Sequence, residues 1–233
     1  MTMGKDSTFS IIIPVLHEHD TINPLLDHLQ QLDEDCEIIV VDGCSRRETI
    51  DNVRSKNIKV KTSEAGRGRQ MNTGAVDAKG EILIFLHADT YLPASGLDCI
   101  RRALQKKQYV GGAFDLSIQS DKILLKVIAK CASIRSRWTR IPYGDQAIFL
   151  RKDYFKKIGG YRDIPLMEDV DMMRRIKKRK DKICMLSDKV MTSPRRWEKE
   201  GILTCTLRNW IVIILYVIGV SPEKLARYYR ANE

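Results

Sequence analysis

The sequence predicts an α/β fold: a mostly parallel sheet flanked by helices, followed by C-terminal helices. Three observations lead there. Apolar runs of strand length, FSIIIPV (9–15), EIIVVDG (37–43) and EILIFLHAD (81–89), recur with helix-patterned segments between them. Such alternation implies parallel strands joined by right-handed crossovers. The runs are continuously apolar, as expected for strands covered on both faces. Finally, acids fall at or just past the ends of these runs, at Glu18, Asp42 and Asp89, and ligands on parallel sheets bind beyond the carboxyl ends of the strands.

The elements follow in order. TINPLLDHLQQL (21–32) places Ile22, Leu25, Leu26, Leu29 and Leu32 at helical spacing, with Thr21 as the N-cap. A helix is expected over 47–56 and a short strand over 58–62. The glycine-rich AGRGRQMNTGA (65–75) leads into another helix. Residues 111–117 read as a strand. DKILLKVIAKCASIRSRW (121–138) puts Ile123, Leu124, Val127, Ile128, Cys131 and Ile134 on one helical face, which predicts the buried face. QAIFLR (146–151) is a short strand. MEDVDMMRRIKK (167–178) is a helix with acids in its first turn and bases in its last, matching the helix dipole. We read one domain over 1–233, with a nucleotide-side half at about 9–118, an acceptor and catalytic half at about 119–200, and a helical segment at about 201–233.

WIVIILYVIGV (210–220) is an apolar run of 11 residues, whereas a spanning helix needs about 20. It reads first as a core helix. Trp210, Tyr216, Arg208 and the downstream KLARYYR also suit an interfacial helix on a membrane.

The 233 residues carry a net charge of +10. Residues 121–233 hold 26 Lys and Arg against 13 Asp and Glu, so the positive charge lies in the C-terminal half. That balance suits a diphosphate, an acidic membrane or a nucleic acid. The six cysteines are scattered without a CxxC pair, which argues against a zinc ribbon or a disulfide framework and favours reduced thiols in a cytoplasmic protein. The polar start MTMGKDS lacks the features of a secretory signal.

Several residues could carry chemistry. Asp42 could accept hydrogen bonds from a ribose or base edge, or serve as a turn aspartate. In GRGRQMNTG (66–74), glycines and a helix start favour an anion, and the arginines could neutralise a diphosphate; the segment is neither GxGxxG nor a Walker A loop. Asp89 in HAD offers an oxygen ligand suited to Mg²⁺ or Mn²⁺ shared with substrate phosphates. His87 is a ligand, a hydroxyl partner or a sheet-end residue. Glu168 and Asp169 either stabilise a helix start or supply a general base. HEH (17–19) has no HExxH pattern and no third ligand at zinc spacing.

Taken in order, these segments resemble the family-two inverting glycosyltransferases of GT-A fold, over roughly residues 9–200. SIIIPVLHEH resembles the opening strand with its Pro-x-x-Asn-Glu pattern: Pro14 and Glu18 match, and His17 stands for Asn. VVDGCS resembles the Asp-Asp-Gly-Ser segment, with Asp42 as the base-binding acid and Gly43 for the second Asp. GRGRQMNTG is similar to Gly-Lys-Gly-x-Ala-x-Asn-x-Gly, with Arg67 for Lys, Gln70 for Ala, and Asn72 and Gly74 retained. HAD stands for Asp-x-Asp, with Asp89 as the metal ligand and His87 in the place of the ribose-contacting acid. MED resembles the Glu-Asp motif whose Asp is the base, here Asp169. SPRRW (193–197) is similar to Gln-x-x-Arg-Trp. GDQAIF together with PLMEDVDMMRR also resembles a compact bacterial subgroup that includes lipid- and carotenoid-directed transferases.

The resemblance implies a nucleotide-binding, Rossmann-like sheet and a single displacement with inversion. A nucleoside-diphosphate sugar would lie across Pro14, Glu18, Asp42, Arg67, Asn72 and His87, with Arg195 and Arg196 closing over the diphosphate. Mn²⁺ or Mg²⁺ would sit on Asp89, and Asp169, beside Glu168, would take the acceptor proton. Gly144, Asp145, Gln146 and Trp197 would line the acceptor side. A lipid-linked acceptor and a peripheral position on the inner face of the membrane follow from the C-terminal apolar segment. Two other readings compete: a nucleotidyltransferase, which would want a glycine-rich signature after the first strand, and a nucleic-acid binder, which would want a recognisable binding motif. The chain shows neither, and no nucleic-acid partner is expected.

Overall fold

The computed structural model describes residues 8–32 and 36–230. The polar start read above, residues 1–7, lies outside the described residues. Strands β1 (Phe9–Val15) and β2 (Cys36–Asp42) pair in parallel along their full lengths, from Phe9 opposite Cys36 to Val15 opposite Asp42. Helix α1 (His19–Leu29) joins them. Strand β3 (Lys59–Thr62) continues the sheet beside β2; helix α2 (Arg67–Asp77) then leads to β4 (Ile82–Phe85), on the other side of β1.

The remaining elements are β5 (Thr90–Tyr91), α3 (Gly96–Leu104), β6 (Tyr109–Ile118), α4 (Ile123–Thr139), β7 (Ile148–Arg151), α5 (Lys152–Lys157), α6 (Glu168–Lys178), β8 (Lys182–Thr192), α7 (Arg195–Glu200), α8 (Ile202–Val217) and α9 (Pro222–Arg230). The sheet order is β3-β2-β1-β4-β7-β6-β8-β5. Strand β7 runs antiparallel to both β4 and β6, and β8 runs parallel to β6. Strands β4 and β6 therefore run the same way on either side of the single reversed strand β7, and β5 at the edge is antiparallel to β8.

The strand period of two separates two buried layers. Phe9, Ile11, Ile13 and Val15 face one side with Leu25 and Leu29 of α1, Ile100 of α3, and Leu125 and Ala129 of α4. Ile12, Ile39 and Val41 face the other, with Met71 and Ala75 of α2, Phe155 of α5, and Met172 and Ile176 of α6. Both faces of β1 are covered, which is why FSIIIPV is apolar without alternation.

Several local expectations need correction. No helix spans 47–56: a single 3₁₀ turn forms at Ile50–Asn52, and Val53 is already extended. The carboxylate of Asp42 accepts the amides of Cys44, Thr49 and Ile50 at 2.8, 3.1 and 3.2 Å, which folds the loop around that side chain instead of into a helix. Helix α1 begins at His19, so Thr21 lies in its first turn; the Thr21 hydroxyl donates to the Glu18 carboxylate at 2.8 Å. Strand β4 stops at Phe85, and residues 86–89 turn away with Thr90 N–H bonded to His87 C=O.

Most of the predicted apolar face of α4 points outward; of its six residues Ile128 packs against the core. Ile123, Leu124, Val127 and Ile134 are exposed, whereas Leu125, Ala129, Ser133 and Ser136 face the sheet. The hydroxyls of Ser133 and Ser136 are satisfied by Ala129 C=O and Ala132 C=O one turn back, so small polar residues can sit in the interior. The core-helix reading of 210–220 also fails. Helix α8 buries Cys205, Arg208 and Val212, and leaves Leu203, Leu207, Trp210, Ile214 and Val217 exposed.

Candidate active site

Several of the side chains singled out by sequence collect beyond the ends of β1 and β4. Pro14 sits in β1 itself and is buried. Ile12 C=O accepts Leu86 N–H toward β4, and Val15 C=O accepts Gly43 N–H toward β2. Alternation points the nitrogen of Pro14 toward β4, past the last paired residue of that strand, Phe85, so the missing N–H interrupts no ladder.

Glu18 follows at the start of α1, and Asp89 lies beyond β4. Arg195, at the start of α7, joins them: its guanidinium is 2.6 Å from Glu18 and 3.4 Å from Asp89. Arg196 donates to the Tyr229 hydroxyl of α9 at 2.6 Å. The two arginines expected over a diphosphate thus stand at the strand ends, engaged by acids and by a C-terminal tyrosine. Arg67, the first residue of α2, lies close enough to Glu168, Asp169 and Asp89 to feel their charges.

At the centre, the Gly144 amide donates to Asp169 Oδ2 at 2.6 Å, and the Val170 amide donates to Asp169 Oδ1 at 2.7 Å. A Cβ at Gly144 would lie 2.6 Å from His87 Nε2, so only glycine lets the imidazole pack there. Burial, then the positive charges of Arg67 and Arg196, lower the His87 pKa to about 3, so the ring is neutral at physiological pH. Burial raises the Asp145 carboxyl to about 6; Arg135 opposes that shift, and the charges of Asp169 and Asp89 add to it. Glu168 is 5% exposed, and burial followed by the charge of Asp169 raises it to about 7 against the pull of Arg67. Two carboxyls of the site, Asp145 and Glu168, are thus pushed above the ordinary carboxylate range by burial and by neighbouring acids, the kind of perturbation expected of acid–base sites.

The oxygen donors fit a hard divalent ion. The charges of Asp89 and Asp169 both reach Asp145, and Asp89 faces the cation of Arg195. Among the described residues no group of three ligands gathers at Asp89, so the protein offers one carboxylate there, with other ligands left to a substrate.

Four expected site residues are placed elsewhere. Asp42 is 0% exposed and its oxygens hold the 44–50 loop; it reaches the donor side only through that loop. The Asn72 side chain donates to Tyr161 C=O at 2.8 Å and accepts Tyr161 N–H at 2.9 Å, fastening α2 to the loop before α6. Gln146 is 0% exposed and bonded to Ser136 and Phe114 C=O, behind the wall expected to meet an acceptor. Trp197 packs against the core layer shared by α1, α3 and α4.

Sequence reasoning missed Arg135 and Tyr143, and assigned Arg208 and the segment holding Tyr229 to an interfacial helix, whereas Arg208 is buried. Arg135 stacks on the Tyr143 ring 3.2 Å from its centroid, next to Gly144. Arg208 lies over the Tyr229 ring at 4.3 Å. For Arg135 and Tyr143 the only sequence signal is an aromatic or a second arginine near a motif, which is too common to single them out.

A departure from the family pattern also gains a reason. Gln70 donates to Val15 C=O and Val41 C=O at 2.7 and 2.8 Å, tying α2 to the ends of β1 and β2. A Cβ at Gly43 would be 3.0 Å from Gln70 Cδ. Glycine for the second Asp and glutamine for Ala are thus complementary.

Fold and site together define an α/β enzyme of the GT-A class. The chain belongs to glycosyl transferase family 2, whose family model matches residues 10–162. It is 33% identical over 94 residues to the poly(ribitol-phosphate) beta-N-acetylglucosaminyltransferase TarS of Staphylococcus aureus, a match covering 36% of this chain and 16% of that one. The chain thus matches only a small part of that relative's length. The crystal structure of S. aureus TarS 1–349 shares the fold with a TM-score of 0.61 at 17% identity, over 94% of this chain and 68% of that one. The mannosyltransferase PcManGT from Pyrobaculum calidifontis, in complex with GDP-Man and Mn²⁺, superposes with a TM-score of 0.58 at 20% identity, over 78% of this chain and 56% of that one.

Proposed function

We propose that this chain transfers a sugar from a nucleoside-diphosphate donor to an acceptor hydroxyl with inversion, and that Asp169 is the general base. The observation that carries this reading is the clamp on Asp169. Amides of Gly144 and Val170 each hold one of its oxygens, which fixes the carboxylate's direction without adding a charge. Burial, then the charge of Asp169, push the neighbouring Glu168 carboxyl up to about 7. Asp169 is the carboxylate whose direction the backbone fixes, and it accepts the proton as the acceptor oxygen attacks. The neutral His87 ring, wedged against Gly144, offers a hydrogen bond to a sugar or ribose hydroxyl. Arg67, Arg195 and Arg196 supply positive charge for a diphosphate. Mn²⁺ or Mg²⁺, held by Asp89 and the donor phosphates, would supply the charge that stabilises the leaving nucleoside diphosphate.

The test is a donor screen, UDP-GlcNAc and GDP-Man included, with and without Mn²⁺, reading released nucleoside diphosphate. Asp169→Asn should keep donor affinity within about threefold and lose transfer by about 10²-fold or more. Unchanged turnover in that variant would remove Asp169 as base. Release of pyrophosphate would instead favour nucleotidyl transfer.

For the acceptor, the observation is the stripe on α8. Leu203, Leu207, Trp210, Ile214 and Val217 recur every three or four residues and are 56–73% exposed, beside the exposed bases Lys224 and Arg227 of α9. No helix among the described residues is long and apolar enough to cross a membrane. We read α8 as lying in the surface of an anionic bilayer, on its cytoplasmic face, where a lipid-linked acceptor would be presented. Sedimentation with vesicles containing phosphatidylserine should recover the protein, and Trp210→Glu should release it. Equal recovery with both proteins would refute this docking mode.

A further inference from the structure

Away from Asp89, three ligand-bearing side chains meet at the ends of β1 and β2. His17, Cys44 and Glu48 bring an imidazole nitrogen, a thiol sulfur and a carboxylate oxygen within 4.8 Å of one another. His17 Nδ1 is already 2.7 Å from Glu48 Oε2. The sequence alone gave no zinc spacing here, because the three residues come from two loops separated by a whole helix.

The loops that carry them are fixed from beneath. The buried Asp42 carboxylate takes the Cys44 amide directly, and the Thr49 and Ile50 amides just after Glu48. Glu18 N–H donates to the Thr49 hydroxyl at 3.1 Å, tying the His17 loop to the Glu48 loop. The His17 backbone has φ of 57°, a left-handed conformation uncommon for a residue with a side chain. The Cys44 sulfur belongs to a buried residue, and the other two groups stand nearer solvent.

We propose that His17, Cys44 and Glu48 form a binding site for a borderline-soft divalent transition ion of the zinc class. The donor set separates it from the Asp89 position. One thiolate, one imidazole and one carboxylate suit Zn²⁺ and mismatch Mg²⁺, which prefers oxygen alone. Three protein ligands leave a fourth tetrahedral position open to water, as in sites where the metal is reached from solvent. Binding releases the thiol proton of Cys44 to solvent, and the three donor atoms draw together from the 4.8 Å spread by side-chain rotation. Bound metal would also lock the 44–50 loop to the end of β1.

The experiment uses Co²⁺ as a spectroscopic stand-in for Zn²⁺, in the full chain carrying Cys131→Ser to remove the exposed thiol on α4. A thiolate-to-cobalt charge-transfer band should appear, saturate at one ion per chain and be displaced by Zn²⁺. Cys44→Ser should abolish it. His17→Gln and Glu48→Gln should each weaken binding about tenfold or more. These two variants change residues that are not fully buried, so they carry the test if Cys44→Ser fails to fold. Asp89→Ala should leave the band intact, which separates this site from the proposed catalytic ion. Absence of the band at millimolar Co²⁺, or its survival in Cys44→Ser, overturns the proposal.

Discussion

Replacing Asn72 by alanine separates a clamp from a substrate ligand. The family resemblance places Asn72 among donor contacts, whereas its side chain satisfies both main-chain groups of Tyr161, donating at 2.8 Å and accepting at 2.9 Å. Tyr161 is 3% exposed, so water cannot readily replace the lost partner. A buried polar group left without a partner costs about 1–3 kcal/mol. Two such groups, partly relieved by relaxation, give about 2–4 kcal/mol. For a domain of this size each kcal/mol lowers the melting temperature by roughly 2–4 °C, which converts to a fall of roughly 4–16 °C. Thermal unfolding followed by circular dichroism measures it. Asn72→Asp keeps the acceptor but loses the donor, so its loss should be about half. A variant that melts like the parent yet no longer binds donor would refute the reasoning and return Asn72 to the substrate.

Three further outcomes are expected. Asp89→Ala should remove the Mn²⁺ dependence of donor binding while shifting the melting temperature by less than about 4 °C, because its part-exposed ion pair with Arg195 at 3.4 Å is worth at most about 1 kcal/mol; full activity in chelator would sink the metal assignment. Gly144→Ala should cut turnover sharply by displacing His87, which a Cβ would approach to 2.6 Å, at a stability cost of about 1–3 kcal/mol; kinetics like those of the parent would show that the contact is irrelevant. Glu168, with a folded pKa near 7 against 4.5 as its reference value, binds its proton more tightly in the folded state, so its contribution is full below pH 4.5 and is lost as pH rises through 7. Glu168→Gln should flatten that part of the stability–pH curve, and an unchanged curve in urea titrations would contradict the shift.

Much of the parallel half was legible because its strands are covered on both faces and therefore read as unbroken apolar runs. The positions of Glu18 and Asp89 followed from strand ends alone, and GRGRQMNTG from its glycines and arginines. What sequence periodicity could not show was direction and partnership. Strand β8, helix α3 and the reversal at β7 leave weak patterns, because their pairing depends on distant segments. The 47–56 region has helix-compatible residues, yet Asp42 captures its amides first. The same side chain reads from sequence as a donor contact or a turn aspartate; whether it reaches ligand or backbone is decided by the loop that follows, not by its place at a strand end. Asn72 and Gln146 carry the same ambiguity: amide side chains serve main chain and ligand alike, and only the tertiary neighbour tells which.

Helix α4 carries a consequence of a different kind. It approaches the sheet through Ala129, Ser133 and Ser136, with Leu125 and the half-buried Ile128 as its large inward residues, while Ile123, Val127, Ile134 and Trp138 look away from the core. Its anchoring and its outward stickiness therefore reside in separate residues. Substitutions on the outer face can retune what the protein adheres to without loosening the sheet beneath, and substitutions on the inner face can change stability without altering that adhesion. Solubility and foldedness are thus two independently adjustable properties of a single helix.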